Sequence, residues 1–163
     1  MPSLRGKHVL VIGLGKTGGS VLRYLQRRGA KVTATDSRDL PPGLSEAQAA
    51  GVELRTGGFS APTPLDQFAL AVLSPGVSPN EPFVRALAEA GVSIVGDIEL
   101  FARSAEAPVI GITGANGKST VTTLVGEMAR AAGIKVAVGG NLGKPALDLI
   151  DPSAQLYVLE LSS

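Results

Sequence analysis

Two glycine-rich turns, each caught between an apolar strand and a helix, restrict this 163-residue chain more than any other feature. The first lies in VLVIGLGKTGGS, Val9 to Ser20, where Gly13, Gly15 and Gly18 take the spacing G-x-G-x-x-G. The second lies in VIGITGANGKSTVTTL, Val109 to Leu124. A strand that enters such a turn and leaves as a helix gathers backbone N–H groups and a helix N-terminus at one point, which suits a phosphate. Around both turns strand and helix signals alternate. HVLVIG, KVTATD, VELRTG, FALAVLSPG and VSIVG read as strands of one unit, and APVIGITG, KVAVGG and QLYVLELSS as strands of another. The helices between them include EPFVRALAEAG, with Asn80 as its expected cap.

This alternation predicts an α/β protein: a Rossmann-like, mainly parallel sheet followed by a P-loop-type α/β unit. The boundary is expected near Ala107–Pro108, giving a Rossmann-like domain over 1–107 and an ATP-type unit over 108–163. The second unit is short and stops on a core-type strand, so it is expected to be the truncated part of a larger domain.

Composition removes several function classes. Fifteen basic and fourteen acidic side chains leave a net charge of +1, without the basic face that nucleic acid requires. With no cysteine and a single histidine, His8, neither a disulfide, a zinc–thiolate site nor a multi-histidine metal site can form within the chain. No apolar run approaches the roughly 18 residues of a membrane span. A soluble, cytoplasmic protein that binds neither nucleic acid nor membrane is expected; oligomeric state is not legible.

The first turn alone leaves its ligand open. Asp36, at the end of the next strand, stands where a dinucleotide site keeps the acid that holds a ribose, so an NAD(P)-dependent oxidoreductase is one reading. Any other diphosphate would also fit a helix N-terminus. The second turn is more specific. After Gly114 and Gly117 come Lys118 and Ser119, the order in which a phosphate loop supplies backbone N–H groups, a cation for the β/γ-phosphates and a hydroxyl for Mg²⁺. Ile112 stands where the usual pattern has its first glycine. Thr113, Gly114, Ala115, Asn116, Gly117, Lys118, Ser119 and Thr120 are the candidate ATP contacts, with Lys118 as the catalytic cation. A dehydrogenase has no use for a γ-phosphate site; a non-catalytic nucleotide-binding module remains the third reading.

GITGANGKST resembles the ATP loop of the Mur ligases, ATP-dependent amide-forming enzymes of peptidoglycan synthesis, whose loop departs from the usual phosphate-loop pattern in the same way. Ala115 replaces the threonine common there. SPGVSPN, GVSIVGDIELF, GGNLGKPALDLI and YVLELSS are similar to the D-glutamate-adding members of that family, so the resemblance covers nearly the whole chain. It implies ATP and Mg²⁺ as cofactors, and UDP-N-acetylmuramoyl-L-alanine and D-glutamate as substrates joined through an acyl phosphate. It also implies that the first turn holds the uridine diphosphate, with Gly15, Lys16 and Thr17 on the diphosphate and Asp36 and Ser37 near the uracil or ribose. Ser74, Pro75 and Gly76 would line the same crevice, Asn141 would approach the substrate and ATP phosphates, and Ser119 with Glu160 would hold magnesium. Such a chain, lacking the remainder of the enzyme, is expected to bind without ligating.

Overall fold

A computed structural model of the chain describes residues 3–162. Two compact units divide it, Met1–Glu99 and Leu100–Ser163.

The first unit holds five strands, β1 (His8–Ile12), β2 (Lys31–Thr35), β3 (Glu53–Arg55), β4 (Leu70–Leu73) and β5 (Ile94–Gly96). They lie side by side in the order β3-β2-β1-β4-β5, every pair parallel. The connecting helices are α1 (Lys16–Arg27), α2 (Leu44–Ala49) and α3 (Pro82–Glu89). Four residues of β1 are wholly buried, because a central strand of a parallel sheet is covered on both faces. Leu10 and Ile12 pack with Phe68, Ala71, Val84 and Leu87 on one side. The period of two leaves Val9 and Val11 for the other. There α1 turns Val21, Leu22 and Leu25 inward, each at most 1% exposed. α3 starts at Pro82 with Glu81 before it, so Asn80 is not its cap; the Asn80 side-chain oxygen instead accepts from Arg85 Nη2 at 3.2 Å.

The chain moves outward from β1 to β3, then returns to add β4 and β5 on the other side of β1. That reversal opens a crevice at the carboxyl ends of β1 and β4, where open parallel sheets take their ligands.

The second unit contains β6 (Val109–Ile112), α5 (Lys118–Ala131), β7 (Val136–Gly140) and β8 (Leu156–Glu160), with strand order β6-β8-β7, again all parallel. α5 buries Thr122, Gly126 and Ala129. Small residues on that face let the helix lie close to the sheet; a Cβ on Gly126 would fall 2.7 Å from Val138 Cγ2. The division between the units falls inside α4 (Asp97–Ala102), ahead of the point near Ala107–Pro108 where the strand-helix pattern restarts. Phe101, in the second unit, packs edge-on against Tyr157 of β8 with centroids 5.0 Å apart. Among the described residues no helix is long and apolar enough to cross a membrane.

Candidate functional site

Each sheet carries one cluster at its carboxyl edge. In the first unit, the turn from β1 into α1 is tightly built. Gly18 must be glycine, since a Cβ there would run into the Gly13 carbonyl. Ser74, at the end of β4, donates its hydroxyl to that same carbonyl at 2.9 Å, tying the two strand ends together. Asp36, 2% exposed, fixes the other side. Its Oδ2 accepts the Leu14 N–H at 2.7 Å, and its Oδ1 accepts the Arg38 N–H at 2.9 Å. The Arg38 guanidinium closes a fork on the same carboxylate, Nε to Oδ1 at 2.8 Å and Nη2 to Oδ2 at 2.7 Å. Burial by itself would raise the Asp36 pKa, but the Arg38 fork and the two N–H donors outweigh it and bring it down to about 2.

Gly15, by contrast, faces open space: a Cβ there would meet nothing within 4 Å. Gly15 is the N-cap of α1 and supplies no side chain, and no acid occupies the first turn. The first N–H groups of a helix have no intrahelical acceptor, so this terminus presents donors and a positive dipole end to an approaching anion. Gly15, Lys16, Thr17, Asp36 and Ser74 thus meet around one turn, with Ser37, Pro75 and Gly76 exposed at the ends of the same strands. Because both Asp36 oxygens are committed to Leu14 and Arg38, the acid that a dinucleotide site would turn to the ribose is already engaged in holding the turn. Arg38 is the partner that sequence reasoning missed; the acid–serine–arginine triplet at the strand end was its one signal.

In the second unit, residues 113–117 form an exposed loop between β6 and α5. Gly117 caps α5 with φ of 74°, a left-handed conformation that a side chain would strain. Lys118 bends back and donates from Nζ to the Gly114 carbonyl at 2.6 Å, so its ammonium group lies across the loop. Ser119 donates its hydroxyl to Glu160 Oε2 at 2.6 Å. Glu160 reaches that position because the parallel register sets it beside Ile112 on one side and Gly140 on the other. Thr113 Oγ1 donates to the Ser162 carbonyl at 3.1 Å, and Asn141 Nδ2 to the Ser162 hydroxyl at 2.9 Å. Thr113, Lys118, Ser119, Asn141 and Glu160 therefore gather at one sheet edge, and Asn141 belongs to this cluster within the second unit. Ser162 is a further member that the motif did not indicate.

The donors offered here are hard oxygens, one carboxylate and one hydroxyl, which suit Mg²⁺ shared with phosphates and water. Among the described residues no group of three or more His, Asp or Glu side chains stands ready to hold a metal without such help.

A switch-point crevice and a glycine–lysine–serine loop, on two parallel sheets, define a two-unit α/β protein. The chain belongs to the Mur ligase family: residues 7–96 match the family described as Mur ligase MurD-like, N-terminal domain. It is 54% identical to the UDP-N-acetylmuramoylalanine--D-glutamate ligase of Methylobacillus flagellatus and 52% identical to that of Escherichia coli K12. Both matches take in all of this chain and 37% of the relative, so the chain spans little more than a third of the curated relatives' length. In fold it is similar to a pseudomurein peptide ligase type C from Methanothermus fervidus, with TM-score 0.56 and 21% identity over 97% of this chain and 33% of that one. It is also similar to the UDP-N-acetylmuramate:L-alanyl-gamma-D-glutamyl-meso-diaminopimelate ligase of Neisseria meningitides, with TM-score 0.57 and 20% identity over 95% of this chain and 52% of that one.

Proposed function

We propose that this chain is the substrate-binding and phosphate-loop portion of an ATP-dependent ligase that adds D-glutamate to UDP-N-acetylmuramoyl-L-alanine. The observation that carries the reading is the Lys118–Ser119–Glu160 cluster on its glycine loop, in a chain 54% identical to a ligase of that name.

In this reading residues 1–107 serve as the UDP-substrate domain and 108–163 begin the ATP domain. The N-terminus of α1, with Gly15, Lys16 and Thr17, receives the UDP diphosphate. Asp36 acts mainly by holding the turn, while Ser37 and the Ser74–Gly76 turn border the nucleoside. In the second unit, Thr113 to Thr120 wrap the ATP phosphates. Lys118 exchanges its Gly114 carbonyl for a phosphate oxygen, placing positive charge where the transferring γ-phosphoryl group gathers negative charge. The terminal phosphoryl group passes to the L-alanine carboxylate, releasing ADP. The D-glutamate amine then displaces phosphate from the acyl phosphate and forms the amide. Ser119 and Glu160 would hold Mg²⁺, which when bound neutralises phosphate charge. Asn141, beside Glu160 and Ser162, borders the same phosphates.

Separate titrations of UDP-N-acetylmuramoyl-L-alanine, NADH and Mg-ATP into the purified chain test the reading. The UDP ligand binds and NADH does not; tight NADH binding with no response to the UDP ligand overturns the assignment. The chain by itself, which spans 37% of its relatives' length, is expected to form no D-glutamyl product when incubated with both substrates and Mg-ATP.

A further inference from the structure

The formal charge of +1 hides an uneven distribution: residues 1–35 carry seven lysines and arginines and neither aspartate nor glutamate. The fold brings five of the seven to one place. Arg5 and Lys7 precede β1, Arg27 and Arg28 close α1, and Lys31 opens β2. Backbone bonds hold these segments together, Gly6 N–H to the Gly29 carbonyl and Lys31 N–H to the Lys7 carbonyl, both at 2.8 Å. All five residues are exposed, and they lie at the amino edge of the first sheet, away from the crevice at its carboxyl edge.

Elsewhere arginines are neutralised: Arg23, Arg38, Arg55 and Arg130 each pair with a carboxylate. Among the described residues Arg5, Lys7, Arg27 and Lys31 have no ion pair, and Arg28 lies over the Tyr24 ring at 5.1 Å. A cation at the end of α1 answers the helix dipole, but that needs only about half a charge. Three acids share the edge on other elements: Glu53 opens β3, Asp66 lies in the turn before β4, and Glu89 ends α3. Glu53 is already engaged by Arg55 at 3.0 Å. Beside the cations a recess of about 400 Å³ is lined in part by His8, Gln26, Lys31, Thr33 and Glu53. Its lining is polar. Thr33, wholly buried, holds its hydroxyl 2.9 Å from His8 Nε2, and Gln26 Nε2 donates to the Ala50 carbonyl at 3.3 Å.

We propose that this edge is a docking surface for an acidic polypeptide segment, whose carboxylates pair with the five cations while one side chain enters the recess. Charge complementarity carries the choice of partner. A bilayer fits less well, since attachment at an interface adds buried apolar side chains to the cations. The one strongly exposed large apolar residue described in the first unit, Leu40, lies beyond the carboxyl end of β2. A nucleic-acid backbone running along the edge would meet Glu53, Asp66 and Glu89, whereas a short peptide need not. The proposal does not depend on which ligands the two loops hold.

The test titrates residues 1–163 with an oligoglutamate peptide, with vesicles of phosphatidylglycerol and phosphatidylcholine, and with a single-stranded DNA of matching charge. The peptide binds saturably and more tightly than the other two, and raising salt from about 50 mM to about 300 mM weakens it at least about tenfold. Amide signals of the parent chain shift at Arg5–His8 and Arg27–Lys31. Arg27→Glu with Lys31→Glu weakens peptide binding at least about tenfold. Arg85→Glu with Lys144→Glu, the same change of net charge at exposed sites off this edge, alters it less than about twofold. Equal effects of the two double variants, no saturable peptide binding, or shifts centred elsewhere overturn the proposal. Tighter binding of the vesicles or the DNA also overturns it, and gives the edge to a membrane or a nucleic acid.

Discussion

The two glycine turns follow the same strand-to-helix plan and are built to opposite standards. The first is packed like a core: Gly13, Leu14, Gly18 and Gly19 are buried, and Asp36 and Ser74 bond to its backbone. The second is exposed from Thr113 to Gly117 and is held by one lysine and one threonine. The strands that feed them differ likewise, β1 buried and β6 largely exposed. One motif can thus be a finished piece of architecture or an exposed loop with few contacts of its own. The difference lies in the neighbours and not in the glycines.

Substitutions that affect the two turns unequally test this contrast. The largest effect is expected for Gly18→Val, which drives a side chain into the Gly13 backbone and costs about 3 kcal/mol in urea unfolding. A loss below about 1 kcal/mol would mean that the first turn is as yielding as the second. Next comes Asp36→Asn. The pKa is lowered from 3.8 to about 2, so the ionised form contributes about 2 kcal/mol, fully present above the unfolded value and lost as pH falls through the folded one. The mutant should trail the parent by that amount from pH 7 down to about 5 and converge with it between about 4 and 2. A gap that persists at pH 2 would assign the effect to something other than charge. Gly117→Ala, at φ of 74°, should cost about 1 kcal/mol. Smallest in stability is Lys118→Ala, within about 0.5 kcal/mol, because its loop is exposed. In the longer enzyme the same change should remove most ligase turnover, and near-parental turnover would show that the ATP site lies elsewhere.

Much of this was legible in the order of the residues. Strand-to-helix alternation and the parallel sheets follow from periodicity, and the Lys118–Ser119 pair from the loop motif, whereas the place of Glu160 beside Ser119 was implied by the family resemblance. Asn80 was misread for a local reason: Pro82 has no N–H to cap and fits the first helical position, so the helix starts one residue later than the asparagine suggests. Arg38 left only the faint signal of the Asp36–Ser37–Arg38 triplet, because a charged residue in a polar loop looks solvated; its fork with Asp36 depends on a turn geometry that spacing does not encode. The exposure of β6 could not be read either. An apolar tetrapeptide such as Val109–Ile112 has the same composition whether or not a neighbouring strand is present to cover it. The packing of Phe101 is equally hidden, since its partner Tyr157 lies 56 residues along the chain.

The bond from Lys118 to the Gly114 carbonyl has a consequence for selectivity. An unengaged lysine side chain surrenders up to about 2 kcal/mol of rotameric freedom when a ligand fixes it, and here part of that loss has already occurred. The carbonyl is in turn a resident competitor, so an incoming anion must exceed a neutral oxygen before the ammonium group moves. Singly charged anions offer little advantage over it, whereas a polyphosphate brings several charges and can use the α5 terminus at the same time. On the proposed ATP assignment, the loop is expected to act as a threshold, silent toward chloride or acetate and responsive to nucleotide triphosphates at the same concentration.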